Sequence, residues 1–418
     1  MLAAGGATAV APVYLVMHHL FQPNFLDVFF WTLNGYLSVR FRHRPSPTGL
    51  AMIGAAIGLG LLAKYSTAFC ALSVVTFVMI SRELRPWLLS RWGVAAALAL
   101  VIVLPNVGWQ AAHDWPVLAH MAALRRNQPG HVAPTDFLLD QLGRILPGVP
   151  LWLVGLAFTL TPAGRPYRVL SVPFGLVIGL LLLSHGKNYY AAGLYPPLLA
   201  LGAVAWERWL PSARWWAWAG RASLLLLLPL LTWRVFPALV PVLPMPELAT
   251  YVGRLVHDNP QFAGLVRWED GELHSLPQDV ADMRGWPEYA PLAARAWARL
   301  TPAERATPCW WAPTTARRAP ATGTARRWGC RRAIRPTARY SLWWPEPLAA
   351  PSAIIYLTEA DEVPDAAAWF TSTESMGHIR DPFARCRGGR VWLLRGPKPG
   401  VGPWVRGRVA EARAGVEG

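Results

Sequence analysis

Nine apolar segments separated by short, arginine-bearing loops fill the first 243 residues, and no other feature limits the fold so tightly. They run roughly over 2–21, 26–40, 48–62, 66–81, 91–108, 147–162, 168–184, 190–206 and 219–241. A helix needs about 20 apolar residues to cross a bilayer core, and only helices or closed barrels satisfy their backbone there. The third and fourth segments fall short of that length, which predicts tilted, short or partly protein-buried helices. The expectation for 1–243 is a mainly α, polytopic membrane bundle of about nine transmembrane or re-entrant helices.

The charges are as uneven as the hydropathy. Only six of the 24 acids lie in 1–243, with two lysines and fifteen arginines; the other eighteen acids lie in 244–418. A soluble domain over 244–418 follows from that contrast. Arg40, Arg42 and Arg44 follow the second segment, and Arg82, Arg85 and Arg91 flank the loop after the fourth. Arg165 and Arg168 follow the sixth; Arg208, Arg214 and Arg221 follow the eighth. A chain that starts inside puts all four groups on the cytoplasmic face. The opposite face then receives "QPNFLD", "AKYS", the long segment 109–146, "SHGKNYY" and the C-terminal domain. The expected arrangement is a multi-pass membrane protein with an extracytoplasmic C-terminal domain. The net charge of +16 belongs to these loops and gives no reason to expect nucleic acid as a partner.

The C-terminal part reads as a small α/β domain. "PLAARAWARLTPAERA" has helical character, and "SAIIYLTEA" and "GRVWLLRG" have strand character. Residues 305–345 are anomalous, with nine arginines and no acid. Two readings stand for them: a basic loop, or a stretch read between compensating frameshifts near 312 and 331, which the nucleotide sequence decides. Four cysteines are too few for a disulfide framework.

Lysine is the rare residue. The chain has 37 arginines and three lysines, and the two lysines of the membrane half, Lys64 and Lys187, both fall on the outer side, as does Asp27. Charged groups at membrane depth are costly and mark candidate sites. Blander readings stand beside this one: lysines snorkel to headgroups, Asp27 caps a helix N-terminus, and Tyr189 and Tyr190 anchor an interface. "PTDFLLDQLGRIL" reads as an amphipathic helix on the outer leaflet, with Phe137, Leu138, Leu142 and Ile145 on one face. Gly54 and Gly58 form a small-residue face for close helix packing. No cofactor is required by the sequence and no metal site is assigned, although His113, Asp114 and His120 are compatible with a divalent ion.

"FQPNFLDVFFWTLNGYLSVR", "GLGLLAKYSTAF", "LPNVGWQAAHDWP" and "HGKNYYAAGLYPPLLALGAVAWER" occur in that order. Together they resemble motifs of bacterial GT-C glycosyltransferases, in the branch grouped with dolichyl-phosphate-mannose protein mannosyltransferases and lipid A aminoarabinose transferases. The resemblance implies inverting transfer of a sugar from a polyprenyl-phosphate donor to a lipid, glycan or protein acceptor on the outer face. It implies that Lys187 and Lys64 bind the donor phosphate. Asn188, Tyr189, Tyr190 and Tyr65 would be neighbouring contacts, and Asp27 would match the polar end of a second motif. In that family the catalytic base sits in an acidic loop ahead of the region where this chain begins. The expectation is therefore a truncated product, with the phosphate clamp but not the base, that is inactive as written. The alternatives weighed are a transporter or flippase for a lipid-linked substrate, and a non-catalytic membrane scaffold.

Overall fold

Proline opens one helix after another in the first part of the chain, where its missing N–H costs nothing and its fixed φ suits the first turn. A computed structural model describes residues 2–20, 22–118, 121–122, 133–184, 186–210, 214–306, 308–311, 333–334 and 350–413. Proline stands in the first turn of α2 (Pro12–His19), α3 (Pro23–His43) and α4 (Pro47–Ala63). The chain begins with α1 (Leu2–Val10), continues after α4 with α5 (Thr67–Ile80) and α6 (Arg85–Ala112), and resumes at α7 (Pro134–Arg144). Then come α8 (Val149–Phe158), α9 (Arg168–Leu183), a 3₁₀ segment Asn188–Leu194, α10 (Tyr195–Trp209) and α11 (Trp215–Trp233).

The described residues fall into two compact units. One comprises Met1–Trp109 with Gly130–Val242, the other Gln110–Pro129 with Leu243–Gly418. In the first, each of the nine apolar segments contains a helix, but the first segment is two helices broken at Pro12. Among the described residues, Leu89–Ala112 and Arg165–Leu183 are long and apolar enough to cross a membrane unaided. Pro134–Arg144 and Leu146–Phe158 would add a third if taken as one span, but they meet at 84°.

α3 organises this unit. At 21 residues it is about 30 Å long. Near its end it carries Arg42, which pairs with Glu83 in the loop after α5, while Asp27 lies toward its start. The arginine loops and the lysine cluster therefore occupy opposite ends of the helix. Trp31 is 1% exposed and packs against Gly193, where a methyl would collide with the indole. A Cβ on Gly35 would meet the ring of Pro197. Those two contacts dock the turn after Lys187 onto α3.

Helix association in lipid depends on close packing rather than on expulsion of water. The small-residue face of α4 serves that purpose: Gly54 and Gly58 sit on the backbone of α6 at Ala95 and Ala99. A second seam was not read from the sequence. Gly155 of α8 and Gly202 of α10 lie against each other's chain, with the carbonyls of Leu198 and Leu151 where a Cβ would be.

α7 departs from its expected face. Phe137, Gln141 and Ile145 are buried, whereas Leu138, Leu139 and Leu142 are exposed. The buried stripe follows the i, i+4, i+8 row and includes a glutamine, because Gln141 finds polar partners inside.

The second unit contains a five-stranded sheet in the order β2-β1-β3-β5-β4. Its strands are β1 (Pro308–Trp311), β2 (Ala333–Ile334), β3 (Ala353–Leu357), β4 (Phe370–His378) and β5 (Arg390–Pro397). β1, β2 and β3 run parallel; β5 is antiparallel to both β3 and β4. Alternation on β3 sends Ile355 and Leu357 toward α12 (Trp286–Ala298), through Leu292 and Ala296. Ile354 and Tyr356 meet Val401, Val405 and Val409 of α14 (Val401–Arg413) on the other face. Between α12 and β1, α13 (Pro302–Ala306) carries Glu304, whose carboxylate takes two hydrogen bonds from Arg395 of β5, at 2.8 and 2.9 Å. The proposed frameshifted stretch, 312–331, lies outside the described residues.

Candidate functional site

Helix α4 ends where Lys64 takes an extended backbone conformation and its N–H closes on the Gly60 carbonyl at 2.8 Å. Tyr65 and Ser66 complete a tight turn into α5. Gly60 is required there, since a Cβ would meet the side chains of Thr67 and Phe30. This turn delivers three polar groups to the start of α3. Lys64 Nζ donates to Asn24 Oδ1 at 2.6 Å and lies 3.9 Å from Asp27 Oδ2. Ser66 Oγ donates to Asp27 Oδ2 at 2.8 Å, and Thr67 Oγ1 donates to Asp27 Oδ1 at 3.2 Å.

Asp27 is therefore not a helix cap. It lies past the first turn of α3, 6% exposed, with both oxygens occupied by hydroxyl donors. A buried carboxylate held in this way is a fixed counter-charge, and its partner is Lys64. Nor does Lys64 simply snorkel. Its ammonium sits over the rings of Tyr190 and Tyr189, 4.4 and 5.1 Å from their centroids. The two rings meet edge to face, 5.0 Å apart, and form an aromatic floor beneath the cation.

The Lys187 turn is secured from three directions. Tyr14 of α2 donates its hydroxyl to the Ala192 carbonyl at 2.7 Å, and Trp31 of α3 packs on Gly193. From α7, Gln141 Nε2 donates to the Asn188 carbonyl at 2.9 Å while its Oε1 accepts from Tyr195 at 2.6 Å. Asn188 Nδ2 donates in turn to Asp140 Oδ2 at 2.8 Å, and Asp140 also pairs with Arg144 one turn along α7.

Lys64, Asp27, Tyr189 and Tyr190 thus form one contact cluster. Asn188 is engaged with Asp140, and the Tyr65 hydroxyl donates to Asn106 of α6 at 2.6 Å. Lys187 is exposed, and its ammonium is near enough to repel that of Lys64. Among the described residues it has no acid beside it, whereas Lys64 has Asp27 and Arg144 has Asp140. Ser66 and Thr67 escape the sequence reading, although their turn, "AKYS", falls on the outer side there. Of the residues compatible with a divalent ion, His113 and Asp114 are described and His120 is not.

Over 95% of its length the chain superimposes on 80% of the crystal structure of ArnT from Cupriavidus metallidurans bound to undecaprenyl phosphate, with a TM-score of 0.54 and 17% identity. The fold is that of the GT-C glycosyltransferases. Residues 1–109, which carry Asp27 and Lys64, also match the family described as dolichyl-phosphate-mannose-protein mannosyltransferase. A curated relative is the lipopolysaccharide core galacturonosyltransferase RgtB of Rhizobium johnstonii, 37% identical over 75 residues, which are 18% of this chain. The matched stretch spans 15% of that relative's length. A match over 95% of the chain takes in residues of both the helical bundle and the mixed α/β unit.

Proposed function

We propose that the chain is a bacterial membrane glycosyltransferase of the GT-C type. It takes a sugar from a polyprenyl-phosphate donor on the outer face of the cytoplasmic membrane, and the second unit lies on that face. The observation that carries the reading is the charge pattern at the lysine cluster. Among the described residues, Lys64 and Arg144 are matched by fixed carboxylates, and the exposed Lys187 is left to meet an anion. The fold of a protein crystallised with undecaprenyl phosphate and the match to a galacturonosyltransferase support the same substrate class.

In this reading Lys187 and Lys64 hold the donor phosphate. Charge builds on that phosphate as the sugar leaves, and preoriented cations in a poorly hydrated site stabilise it more than water would. Tyr189 and Tyr190 brace Lys64, and Asp27 holds it in place. With both oxygens of Asp27 already accepting hydrogen bonds, it serves Lys64 rather than the acceptor hydroxyl.

The test is equilibrium binding of undecaprenyl phosphate to the full chain in nanodiscs. Lys187→Ala should weaken binding by about tenfold with the fold intact; wild-type affinity in that variant refutes the reading. Sidedness is tested separately with Lys187→Cys in a chain whose other cysteines are serine. A membrane-impermeant maleimide should label it in intact spheroplasts, and labelling only after lysis places the lysine inside.

A further inference from the structure

The polar side of α7 has a purpose that the donor reading leaves unexplained. Gln141 is 2% exposed and spends both ends of its amide on the segment after Lys187. Asp140 takes the side chain of Asn188, the residue next to the lysine. Among the described residues, the turn's own hydrogen bonds include the Gly186 N–H on the Leu181 carbonyl, at 2.8 Å, and the Tyr190 N–H on the Lys187 carbonyl, at 3.0 Å. Among the described residues, the hydrogen bonds that tie Asn188 to another helix involve consecutive residues of α7, Asp140 and Gln141. A lysine on such a turn has a long, flexible stem, so the direction of its ammonium depends on how firmly the Cα is held.

We infer that Asp140 and Gln141 are positioning residues that clasp Asn188 and thereby aim Lys187 at the donor phosphate. Neither touches the phosphate; each acts through the lysine's backbone. Arg144 completes the device: its Nε and Asn188 Nδ2 both donate to Asp140 Oδ2, so the cation fixes the very oxygen that Asn188 uses. The inference rests on the phosphate-binding role proposed for Lys187.

A double-mutant cycle on undecaprenyl phosphate binding by the full chain in nanodiscs tests it. Asp140→Ala and Gln141→Ala should each weaken binding about fivefold when Lys187 is present, and by less than about twofold in the Lys187→Ala background. Asp140→Asn keeps an acceptor for Asn188 and should restore binding to within about twofold of wild type, which a general folding defect would not do. Equal losses in both backgrounds would overturn the inference, because these residues would then act independently of Lys187. So would no loss with Lys187 present. Both results leave the phosphate-binding reading standing if Lys187→Ala alone weakens binding. If Lys187→Ala binds like wild type, that reading falls first and the inference falls with it.

Discussion

The ammonium of Lys64 lies 4.4 Å above the ring centroid of Tyr190 and 3.9 Å from the Asp27 carboxylate, so an aromatic face and a buried acid hold one cation from two sides. The arrangement joins a turn near residue 64 to one near residue 190. It makes the aromatic floor measurable.

Tyr190→Phe keeps a ring under Lys64, whereas Tyr190→Leu removes it. A cation over an aromatic face contributes about 0.5–2 kcal/mol. The leucine variant should therefore lose roughly two- to thirtyfold in undecaprenyl phosphate affinity, and the phenylalanine variant less than about twofold. Titration in nanodiscs checks both; equal losses would locate the effect in the hydroxyl.

Ser66→Ala removes one of the two hydroxyls that satisfy Asp27. An underbonded buried carboxylate costs about 1–3 kcal/mol. Asp27→Leu should cost more, because it leaves Lys64 without its counter-charge. The order expected in thermal unfolding is wild type above Ser66→Ala above Asp27→Leu. A serine variant as stable as wild type would show that Thr67 alone suffices.

At the seam between α8 and α10, Gly202→Ala places a methyl against the Leu151 carbonyl. Overpacking of this kind costs about 1–3 kcal/mol. Gly175→Ala in α9 meets nothing within 4 Å and should be neutral or slightly stabilising, since alanine is the better helix former. Thermal melting of the two single variants separates a packing glycine from an incidental one.

In the second unit, the Arg395 guanidinium holds the Glu304 carboxyl down to about 2, from its usual 4.5, with further hydrogen bonds from Thr301. A depressed carboxyl pKa stabilises the fold above the unfolded value and loses that contribution as pH falls toward the folded one. The stability difference between wild type and Glu304→Gln should therefore be full above about pH 4.5 and fade between there and pH 2. Melting curves at pH 6, 4 and 3 follow the fading; a difference independent of pH would count against the ion pair.

Much of the fold could be read from local pattern. Strand β3 is a run of five buried apolar residues centred on Ile354, Ile355 and Tyr356, and "SAIIYLTEA" predicts it. β4 was not: Thr371–Glu374 are exposed along the sheet edge, and "TSTE" has no alternation of apolar and polar residues to reveal it. The site was legible in part for a similar reason. Rare lysines stand out in an arginine-rich chain, so Lys64 and Lys187 could be picked out alone. Ser66 and Thr67 are ordinary hydroxyl residues until the turn brings them onto Asp27. The pairing of Asp140 with Asn188 spans 48 positions and leaves no periodic trace. On α7, hydrophobicity placed Leu138 and Leu142 on the same face as Phe137, but the bundle selected the row containing Gln141 because two polar partners were waiting there.

Helix α7 turns 84° into the next helical segment and points Leu138, Leu139 and Leu142 outward. Those leucines lie within a turn of Asp140, on a lever whose far side ends beside Lys187. A thicker or thinner leaflet would tug on them differently, making acyl-chain length a tuning variable for carrier capture. Nanodiscs assembled from short-chain and long-chain phospholipids should therefore give different undecaprenyl phosphate affinities for the same polypeptide, and identical values would uncouple the lever from the bilayer.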